Sequence, residues 1–311
     1  MNVENAVSAR YSAAARERDG ALCCPVTYDP KYLNVIPQEI LERDYGCGDP
    51  SRYVRPGDTV LDLGSGGGKM CFIVSQIVGC DGRVIGVDMN EDMLALARKH
   101  QDAVGRAIGW HNVEFRRARI QDLALDLERL DAELKRQPID SARTFLEAEQ
   151  RLTRLRRTDS MIASHSVDVV ISNCVLNLVD PLAKGQLFSE IFRVLKVGGR
   201  AVISDIVSDR SVPAALAENP ELWSGCISGA LTETDFADAF GRAGFARVET
   251  RQRQANPWRV LDGIEFRAIT IEATKESTAV PLWPVSAGRK SAAIPLNFSS
   301  PDSCCGETKC C

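Results

Sequence analysis

The sequence contains very little histidine. Its three histidines, His100, His111 and His165, lie far apart among 311 residues. This spacing argues against a metal site built from imidazole ligands, so a soft ion would have to be bound by thiolates. Cysteine is plentiful, with 11 residues. The odd number excludes a fully paired disulfide framework. Because residues 1–20 do not resemble an export signal, the high number of cysteines indicates metal, metalloid or redox chemistry.

The chain also lacks a basic excess, a long apolar run and a secretory signal. Its formal net charge is -4 at pH 7, so no basic surface indicates nucleic-acid binding. No apolar run approaches the roughly 20 residues that span a bilayer. Residues 1–20 are polar and charged, without the apolar core of a signal peptide. We therefore expect a soluble, cytoplasmic protein with neither a nucleic-acid nor a membrane partner.

Strand-like and helix-like patterns alternate after residue 56. Short apolar runs predict strands, and apolar residues at helical spacing predict the helices between them. The predicted elements are a strand over Thr59–Leu63, a helix over Lys69–Val78, a strand over Arg83–Asp88, a helix over Glu91–His100 and a strand over Val113–Arg116. This alternation favours an α/β fold in which helices cover a parallel sheet.

Residues 123–165 interrupt the alternation. Leucines recur there at helical spacing and the opposite faces are densely charged, which predicts an inserted helical hairpin. We interpret the hairpin as a structural or partner-facing elaboration, with a substrate lid as the alternative. Beyond it, the apolar run Val167–Cys174 predicts a buried strand that ends at Cys174. Leu182–Leu195 and Arg200–Asp205 then predict a helix and another strand.

These patterns divide the chain into regions. We predict an N-terminal cap or substrate segment (1–56), a nucleotide-type α/β domain (57–206) that contains the helical insertion (123–165), a smaller C-terminal α+β region that binds substrate (207–275) and a flexible tail (276–311). The tail has no clear apolar period and ends in Cys304, Cys305, Cys310 and Cys311. We therefore predict that this Cys-rich tail is disordered.

A glycine-rich loop follows the first predicted strand. Residues 61–69 read Leu-Asp-Leu-Gly-Ser-Gly-Gly-Gly-Lys, and the glycines let the backbone approach a ligand closely. Lys69 stands where a dinucleotide fingerprint has its third glycine, which disfavours NAD or FAD, and the order of residues is not that of a P-loop. Asp88 ends the next strand, where an aspartate can accept hydrogen bonds from both ribose hydroxyls.

Together, this loop and Gly86-Val87-Asp88-Met89 resemble the S-adenosylmethionine site of class I methyltransferases. The resemblance implies a Rossmann-like sheet with S-adenosylmethionine bound to region 57–206. Asp62 would meet the methionine portion, and residues 119–122 fall where that family contacts adenine. Met89 and Ile120, taken singly, also fit ordinary core positions. The implied cofactor-binding residues are Asp62, Gly64, Ser65, Gly66, Lys69, Asp88, Met89, Ile120, Gln121 and Asn173.

Three cysteine-containing segments, within about residues 20–275, resemble arsenite methyltransferases. They are Tyr45-Gly46-Cys47-Gly48, Ser172-Asn173-Cys174-Val175-Leu176-Asn177-Leu178 and Gly225-Cys226-Ile227-Ser228-Gly229-Ala230-Leu231. The resemblance implies that Cys47, Cys174 and Cys226 are catalytic and bind trivalent arsenic. It also implies that Cys23 or Cys24 takes part in substrate binding or redox cycling. A thiol reductant, thioredoxin or glutathione, would be a co-substrate.

Two departures from that family leave the substrate open. The insertion over 123–165 is not part of the family's compact core, and Leu176 stands where the family often has a second cysteine. Methylarsenite, or another soft element such as selenium or antimony, is therefore an alternative to arsenite.

The chemistry of thiols supports the same prediction. Thiolates are the preferred ligands of soft ions such as trivalent arsenic. Three thiolates leave the arsenic lone pair free to attack the electrophilic methyl of a sulfonium. The enzyme then mainly supplies proximity and orientation, which can lower a barrier by about 7–11 kcal/mol. No general base is needed, which fits the shortage of histidine. We therefore predict an S-adenosylmethionine-dependent methyltransferase that acts on arsenite, methylarsenite or both, for arsenic detoxification.

Two other functions stay open, and they differ in what the thiols do. In a methyltransferase for an ordinary organic molecule the thiols would be incidental. A non-enzymatic thiol protein that sequesters metalloids would have no need of the glycine-rich loop. The four tail cysteines would capture and deliver a soft ion, exchange with an active-site disulfide, or be adventitious. Cys71 and Cys80, within and just after the first predicted helix, are interpreted as structural.

Overall fold

The computed structural model describes residues 3–22 and 26–277. These residues belong to one compact unit. The candidate residues Cys23 and Cys24, and residues 278–311 of the predicted tail, lie outside the described residues. Within the described part of the chain, no helix is both long and apolar enough to cross a membrane.

A mixed sheet forms the centre of the domain. Its strands are β1 (Thr59–Leu63), β2 (Arg83–Asp88), β3 (Val113–Arg117), β4 (Val167–Asn173), β5 (Leu195–Ser208), β6 (Leu231–Thr232), β7 (Arg247–Arg253), β8 (Arg259–Leu261) and β9 (Ile264–Thr274). The order across the sheet is β3-β2-β1-β4-β5-β9-β7, with β6 paired to β5 and β8 to β9. Strands β1 to β5 are parallel, whereas β9 is antiparallel to β5 and β7. The predicted α/β class with a Rossmann-like sheet is confirmed.

Helices α7 (Lys184–Val194) and α10 (Glu233–Ala243) cover one face of this sheet, and α3 (Lys69–Val78) and α4 (Glu91–Ile108) cover the other. The other helices of the described residues are α1 (Val3–Arg16), α2 (Gln38–Glu42), α5 (Leu127–Arg136), α6 (Ala142–Thr158), α8 (Ala214–Ala217) and α9 (Pro220–Ser224). Leu61 and Leu63 of β1 join one apolar cluster with α7 and α10, whereas Val60 joins another with α3 and α4. Burial on both faces is what a parallel sheet requires.

The strand order reverses between β1 and β4. Leu63 at the end of β1 pairs with Val87 of β2 on one side and with Ser172 of β4 on the other. In an open α/β sheet, ligands bind beyond the carboxyl ends of the strands at this reversal. The segments that follow β1, β2 and β4 are therefore placed to form a site.

Two elements extend beyond their predicted bounds. Helix α4 passes the predicted end at His100 and reaches Ile108, because Val104 and Gly105 remain buried and Gly109, with φ 93°, supplies the C-cap. Strand β5 begins at Leu195, where a helix was predicted to end, and runs through Gly198-Gly199. The backbones of Gly198 and Gly199 pair there with Lys275, a contact that the local sequence does not predict.

The predicted helical insertion is present as α5 and α6. The Asp126 side chain accepts hydrogen bonds from the first backbone N–H groups of α5, and Ser141 forms a capping box with Thr144 at the start of α6. Ala148 is the one buried residue of α6, and α5 has none. The charged faces of this hairpin therefore lie in solvent.

Candidate active site

A cavity opens at the carboxyl ends of β1, β2 and β4. All ten residues predicted to bind the cofactor line it: Asp62, Gly64, Ser65, Gly66, Lys69, Asp88, Met89, Ile120, Gln121 and Asn173. Cys174 lines the same cavity. The fold thus brings the glycine-rich loop and one predicted arsenic ligand to a single site.

The glycine-rich loop has a backbone shape that favours glycine. Gly64, Gly66 and Gly68 have φ values of 72°, 51° and 87°. A Cβ atom on Gly64 would lie 2.4 Å from the Cγ1 atom of Val175. The backbone N–H of Gly66 donates to Oδ2 of Asp88 at 2.9 Å. The loop is therefore held against the residue predicted to bind ribose.

Ser65 carries a polar group that the described chain leaves unpaired. It lines the cavity, and its hydroxyl is buried without a hydrogen-bond partner among the described residues. Because an unpaired buried hydroxyl is unfavourable, a polar ligand atom in the cavity would stabilise it. Carboxylate, hydroxyl and amide groups beside the apolar Met89 and Ile120 fit a nucleoside with a charged extension.

Two buried carboxyl groups face this cavity. Burial raises the pKa of Asp62 to about 7, the thiol of Cys71 lowers it, and the charges of Asp88 and Asp44 raise it further. The Cys71 thiol donates to Oδ2 of Asp62 at 3.2 Å, a contact that supports a structural role for Cys71. Burial also raises the pKa of Asp88, against hydrogen bonds from neighbouring backbone N–H groups. Carboxylates in such surroundings favour a positively charged ligand.

Lys69 is held at the cavity wall by two contacts. Its Nζ atom lies 2.6 Å from Oδ2 of Asp44. The same atom lies 3.7 Å from the ring centroid of Tyr28, which is a cation–π contact. Lys69 thereby ties the start of α3 to the N-terminal segment as well as lining the cavity.

Helix α1 forms a further wall of the cavity. Its residues Glu4, Val7, Ser8 and Tyr11 line the space. The side-chain amide of Asn90 donates to the Ser8 carbonyl and the Ser12 hydroxyl, each at 3.0 Å, and that of Gln121 donates to Glu4 at 3.2 Å. The sequence did not reveal this wall, because the bonded residues are 78 to 117 positions apart.

The three predicted arsenic ligands meet beside the cavity. Cys47, Cys174 and Cys226 are at most 6% exposed and share one apolar cluster. The sulfur atoms of Cys47 and Cys174 and a carboxylate oxygen of Asp205 lie within 4.8 Å of one another. The sulfur of Cys226 is outside that set, but its thiol donates to the carbonyl oxygen of Cys174 at 3.0 Å. The fold therefore brings together thiols from three distant segments.

Two of these cysteines have an uncommon backbone conformation. Cys174 has φ 64° and Cys226 has φ 62°, in the left-handed region that non-glycine residues rarely adopt. Hydrogen bonds hold both: the Cys174 N–H donates to Ser204 at 2.8 Å, and the Asn177 side-chain amide donates to the Cys226 carbonyl at 3.2 Å. Such strain persists where surroundings fix it, and it concentrates at functional sites.

The Asn173 side chain fixes the Cys47 loop. Its Oδ1 atom accepts hydrogen bonds from the backbone N–H groups of Cys47, at 2.8 Å, and Gly48, at 3.0 Å. Its Nδ2 atom donates to the Gly48 carbonyl at 2.7 Å and to the Tyr28 hydroxyl at 3.2 Å. Asn173 thus lines the predicted cofactor cavity while its polar atoms position the thiol loop.

A comparison with known protein families supports a methyltransferase fold around this cavity. The family model for the methyltransferase domain matches residues 55–244, more than half of the chain. The chain belongs to the methyltransferase domain family.

The chain is similar to several proteins named arsenite methyltransferase. It is 34% identical to one from Aquipseudomonas alcaligenes, covering 72% of this chain and 55% of the relative. It is 30% identical to one from Homo sapiens, and the match covers 80% of this chain and 59% of that relative. The chain thus spans little more than half the length of these curated relatives. A solved arsenic (III) S-adenosylmethionine methyltransferase from Chlamydomonas reinhardtii has a TM-score of 0.64 and 28% identity, covering 83% of this chain and 77% of that one.

Beside the thiols of Cys47 and Cys174 lies a buried carboxylate, Asp205, that no motif in the sequence indicated. Asp205 accepts hydrogen bonds from the backbone of Leu176, Asn177 and Ile206 and from the Asn177 side chain. Burial raises the pKa of Asp205 to about 6. Burial also lowers the pKa of Lys184, which donates to the Gly229 carbonyl, to about 8. The sequence did offer one signal for Asp205, because a carboxylate stands at the end of the predicted strand Arg200–Asp205.

Proposed function

We propose that this methyltransferase transfers a methyl group from S-adenosylmethionine to trivalent arsenic bound by Cys47, Cys174 and Cys226. The observation that carries the proposal is the meeting of these three thiols beside the cavity of the glycine-rich loop. The names of its relatives and of the Chlamydomonas reinhardtii structure support the same chemistry. Its cellular role would be arsenic detoxification.

The cavity residues fit S-adenosylmethionine. When bound, S-adenosylmethionine supplies an electrophilic methyl group. Asp88 would accept hydrogen bonds from the ribose hydroxyls, and Met89 and Ile120 would flank the adenine. The Ser65 hydroxyl, buried and unpaired among the described residues, would gain a partner. Asp62 would offset the positive charge at the methionine end of the cofactor.

The cysteines bind and orient arsenic. Each thiol that replaces a hydroxyl of arsenous acid gives its proton to that hydroxyl, which leaves as water. Three sulfur ligands then occupy three valences of arsenic and leave its lone pair as the nucleophile. Because Cys47, Cys174 and Cys226 are buried, water is largely excluded from the arsenic–sulfur bonds. The hydrogen-bonded backbones of Cys174 and Cys226 would limit the movement of these two arsenic ligands during transfer.

A thiol reductant completes the proposed cycle. The arsenic lone pair would form the new arsenic–carbon bond as the methyl–sulfur bond of the sulfonium breaks, and the electron pair of that bond would stay on the departing thioether sulfur. Arsenic would thereby pass formally from the trivalent to the pentavalent state. Two electrons return it to the trivalent state, and thiols supply them by forming a disulfide. We propose that thioredoxin or glutathione reduces that disulfide. Cys23 and Cys24 remain candidates for this exchange.

Arsenic speciation tests the proposal. The full chain is incubated with arsenite, S-adenosylmethionine and a thiol reductant, and the arsenic products are separated and quantified. We expect methylated arsenic from the parent and none from Cys174→Ser or Cys226→Ser, because a hydroxyl is a poor ligand for a soft ion. Cys80→Ser is the matched control, because Cys80 is exposed.

The same assay separates the alternatives. Cys47→Ser should retain methylation of methylarsenite, because a methyl group already occupies one arsenic valence and two thiolates suffice. Unchanged arsenite methylation by the Cys174→Ser, Cys226→Ser double variant would contradict the proposal and favour incidental thiols. Arsenic binding without S-adenosylmethionine binding would instead identify a sequestering protein.

A further inference from the structure

Asn90 joins three parts of the cofactor cavity. It follows Asp88 and Met89 at the end of β2, lines the cavity and is buried. Its backbone N–H donates to Oδ1 of Asp88 at 2.8 Å. Its side-chain Oδ1 atom accepts a hydrogen bond from the Met93 N–H at 3.0 Å, which caps the start of α4. The Nδ2 atom contacts α1, and the proposed function has not used this contact.

The Nδ2 atom of Asn90 holds one turn of α1. It donates to the Ser8 carbonyl and to the Ser12 hydroxyl, each at 3.0 Å. An amide carries an acceptor oxygen and two donor hydrogens at the end of one short side chain. A single buried residue therefore caps α4 and holds α1 at the same time.

This turn of α1 belongs to the cavity wall. Four residues of α1 line the cavity, and their spacing of three and four positions places them on one face of the helix: Glu4, Val7, Ser8 and Tyr11. Because Asn90 binds the carbonyl of Ser8, its amide determines how closely this wall approaches a bound cofactor. Ser12 is not among the described residues that line the cavity, so its bond to Asn90 affects the cofactor through the position of α1.

Helix α1 has other attachments, which should keep it folded on the domain when the contact with the Nδ2 atom is removed. Near its C-terminal end, Ala14 and Ala15 are buried in one apolar cluster with Met93. On the side of the thiols, Arg10 donates to the Ser224 hydroxyl at 3.0 Å. A substitution at the Asn90 side chain should therefore loosen the wall and leave the helix in place.

The attachment at the N-terminal end of α1 is more exposed. The Nη2 atom of Arg119 lies 2.6 Å from Oε2 of Glu4, and the Arg119 side chain is 51% exposed. Solvent weakens an ion pair of this kind. Asn90 is only 5% exposed, and hydrogen bonds in buried surroundings are stronger. The amide of Asn90 is thus well placed to fix the wall on the cofactor side.

We propose that Asn90 is a positioning residue for S-adenosylmethionine, because its amide holds α1 against the cofactor cavity beside Asp88. This inference rests on the proposed binding of S-adenosylmethionine in this cavity and is independent of the arsenic site. It assigns to the N-terminal helix a part in retaining the cofactor.

Asn90→Ser removes this contact and keeps the others. Serine is a good N-cap residue, so it can still accept the Met93 N–H, and the backbone N–H that binds Asp88 is unchanged. Its one short hydroxyl no longer holds both acceptors on α1. We expect S-adenosylmethionine to bind about tenfold more weakly to the full chain in isothermal titration, which requires no turnover.

Asn219→Ser is the matched control. Asn219 caps α9 through its side-chain oxygen, which accepts hydrogen bonds from the Glu221 and Leu222 N–H groups, and it is not among the described residues that line the cavity. The same substitution therefore changes a helix cap away from the cofactor. We expect this variant to bind S-adenosylmethionine as tightly as the parent.

Ser12→Ala shows whether Asn90 acts through α1. Alanine favours the helix, so the substitution removes only the hydroxyl that accepts from Asn90. We expect affinity for S-adenosylmethionine to fall about threefold. In the double variant Asn90→Ser, Ser12→Ala, affinity should equal that of Asn90→Ser alone, because both substitutions remove the same contact.

Proteolysis reports the position of α1 independently of affinity. Trypsin cleavage after Arg10 and Arg16, which lie in α1, should slow when S-adenosylmethionine saturates the parent. The cofactor should protect these sites less in Asn90→Ser, and equal protection would contradict the proposal.

Parental affinity in either single variant would overturn the role of Asn90. Additive losses in the double variant would show that the two residues act separately, and would overturn positioning through α1. If the parent itself failed to bind S-adenosylmethionine, the cofactor site would be wrong and this inference with it.

Discussion

Asn173→Ala should release the Cys47 loop and leave the cofactor cavity largely intact. The substitution removes the acceptor for the backbone N–H groups of Cys47 and Gly48 and the donor to the Gly48 carbonyl. A built Cβ on Gly46 would lie 2.3 Å from the Asn173 side chain, so the loop packs tightly on this amide. Alanine would leave the backbone groups of Cys47 and Gly48 without these hydrogen-bond partners, and it would remove the packing contact with Gly46.

The loss in free energy of unfolding can be estimated from these hydrogen bonds. An unpaired buried polar group costs about 1–3 kcal/mol. Because the three bonds are only partly buried, water can satisfy some of the exposed groups, and we expect a total of about 2–3 kcal/mol. For a domain of this size that corresponds to a fall in Tm of about 4–12 °C. Arsenite affinity should fall about tenfold or more, since each 1.4 kcal/mol is a factor of about ten.

Asn112→Ala is the matched control. Asn112 also uses its side-chain amide to hold backbone carbonyls, those of Gly79 at 2.7 Å and Gly82 at 3.1 Å, but it lies before β3, away from the cavity. We expect a similar loss in Tm with normal arsenite binding. Normal arsenite affinity in Asn173→Ala, combined with loss of S-adenosylmethionine affinity, would refute the reasoning and show that Asn173 serves the cofactor.

Three further predictions concern the cofactor cavity. Gly64→Ala should abolish S-adenosylmethionine binding, because its Cβ would meet Val175 at 2.4 Å, whereas Gly57→Ala, at φ 81° with open space around it, should retain binding. Asp88→Ala should weaken S-adenosylmethionine about tenfold in calorimetry, through lost ribose bonds, and unchanged affinity would contradict the ribose assignment. Burial raises the pKa of Asp62 to about 7, so protonated Asp62 stabilises the ligand-free fold below about pH 4, and this contribution is lost as the pH rises towards 7. Urea unfolding from pH 4 to 8 should therefore show the stability of the parent falling relative to Asp62→Asn, and parallel profiles would exclude the raised pKa.

Local patterns were enough to predict the sheet and the cofactor loop. The alternation between Thr59 and Val113 predicted β1, α3, β2 and the beginning of α4, because each element has its own apolar period. The extension of β5 through Gly198 and Gly199 was not predictable, since the backbones of these glycines pair with Lys275, which is distant in the sequence. Local sequence carries no signal for such a partner.

The thiol site was predicted only in part, for the same reason. Cysteine type and motif order indicated Cys47, Cys174 and Cys226, and the fold brings them together. Tyr11 and Asp205 lie in segments without a thiol motif, and folding alone brings them to the cluster. The placement of these two residues depends on how distant segments pack, which motif spacing does not describe.

X-ray absorption at the arsenic edge tests the central claim most directly. The full chain is loaded with one equivalent of arsenite after Cys304→Ser, Cys305→Ser, Cys310→Ser and Cys311→Ser substitutions, which remove the tail thiols from competition. We predict three sulfur neighbours and no oxygen neighbour around arsenic. Each of Cys47→Ser, Cys174→Ser and Cys226→Ser should lose one sulfur neighbour. An arsenic environment that stays the same in all three variants would contradict the account.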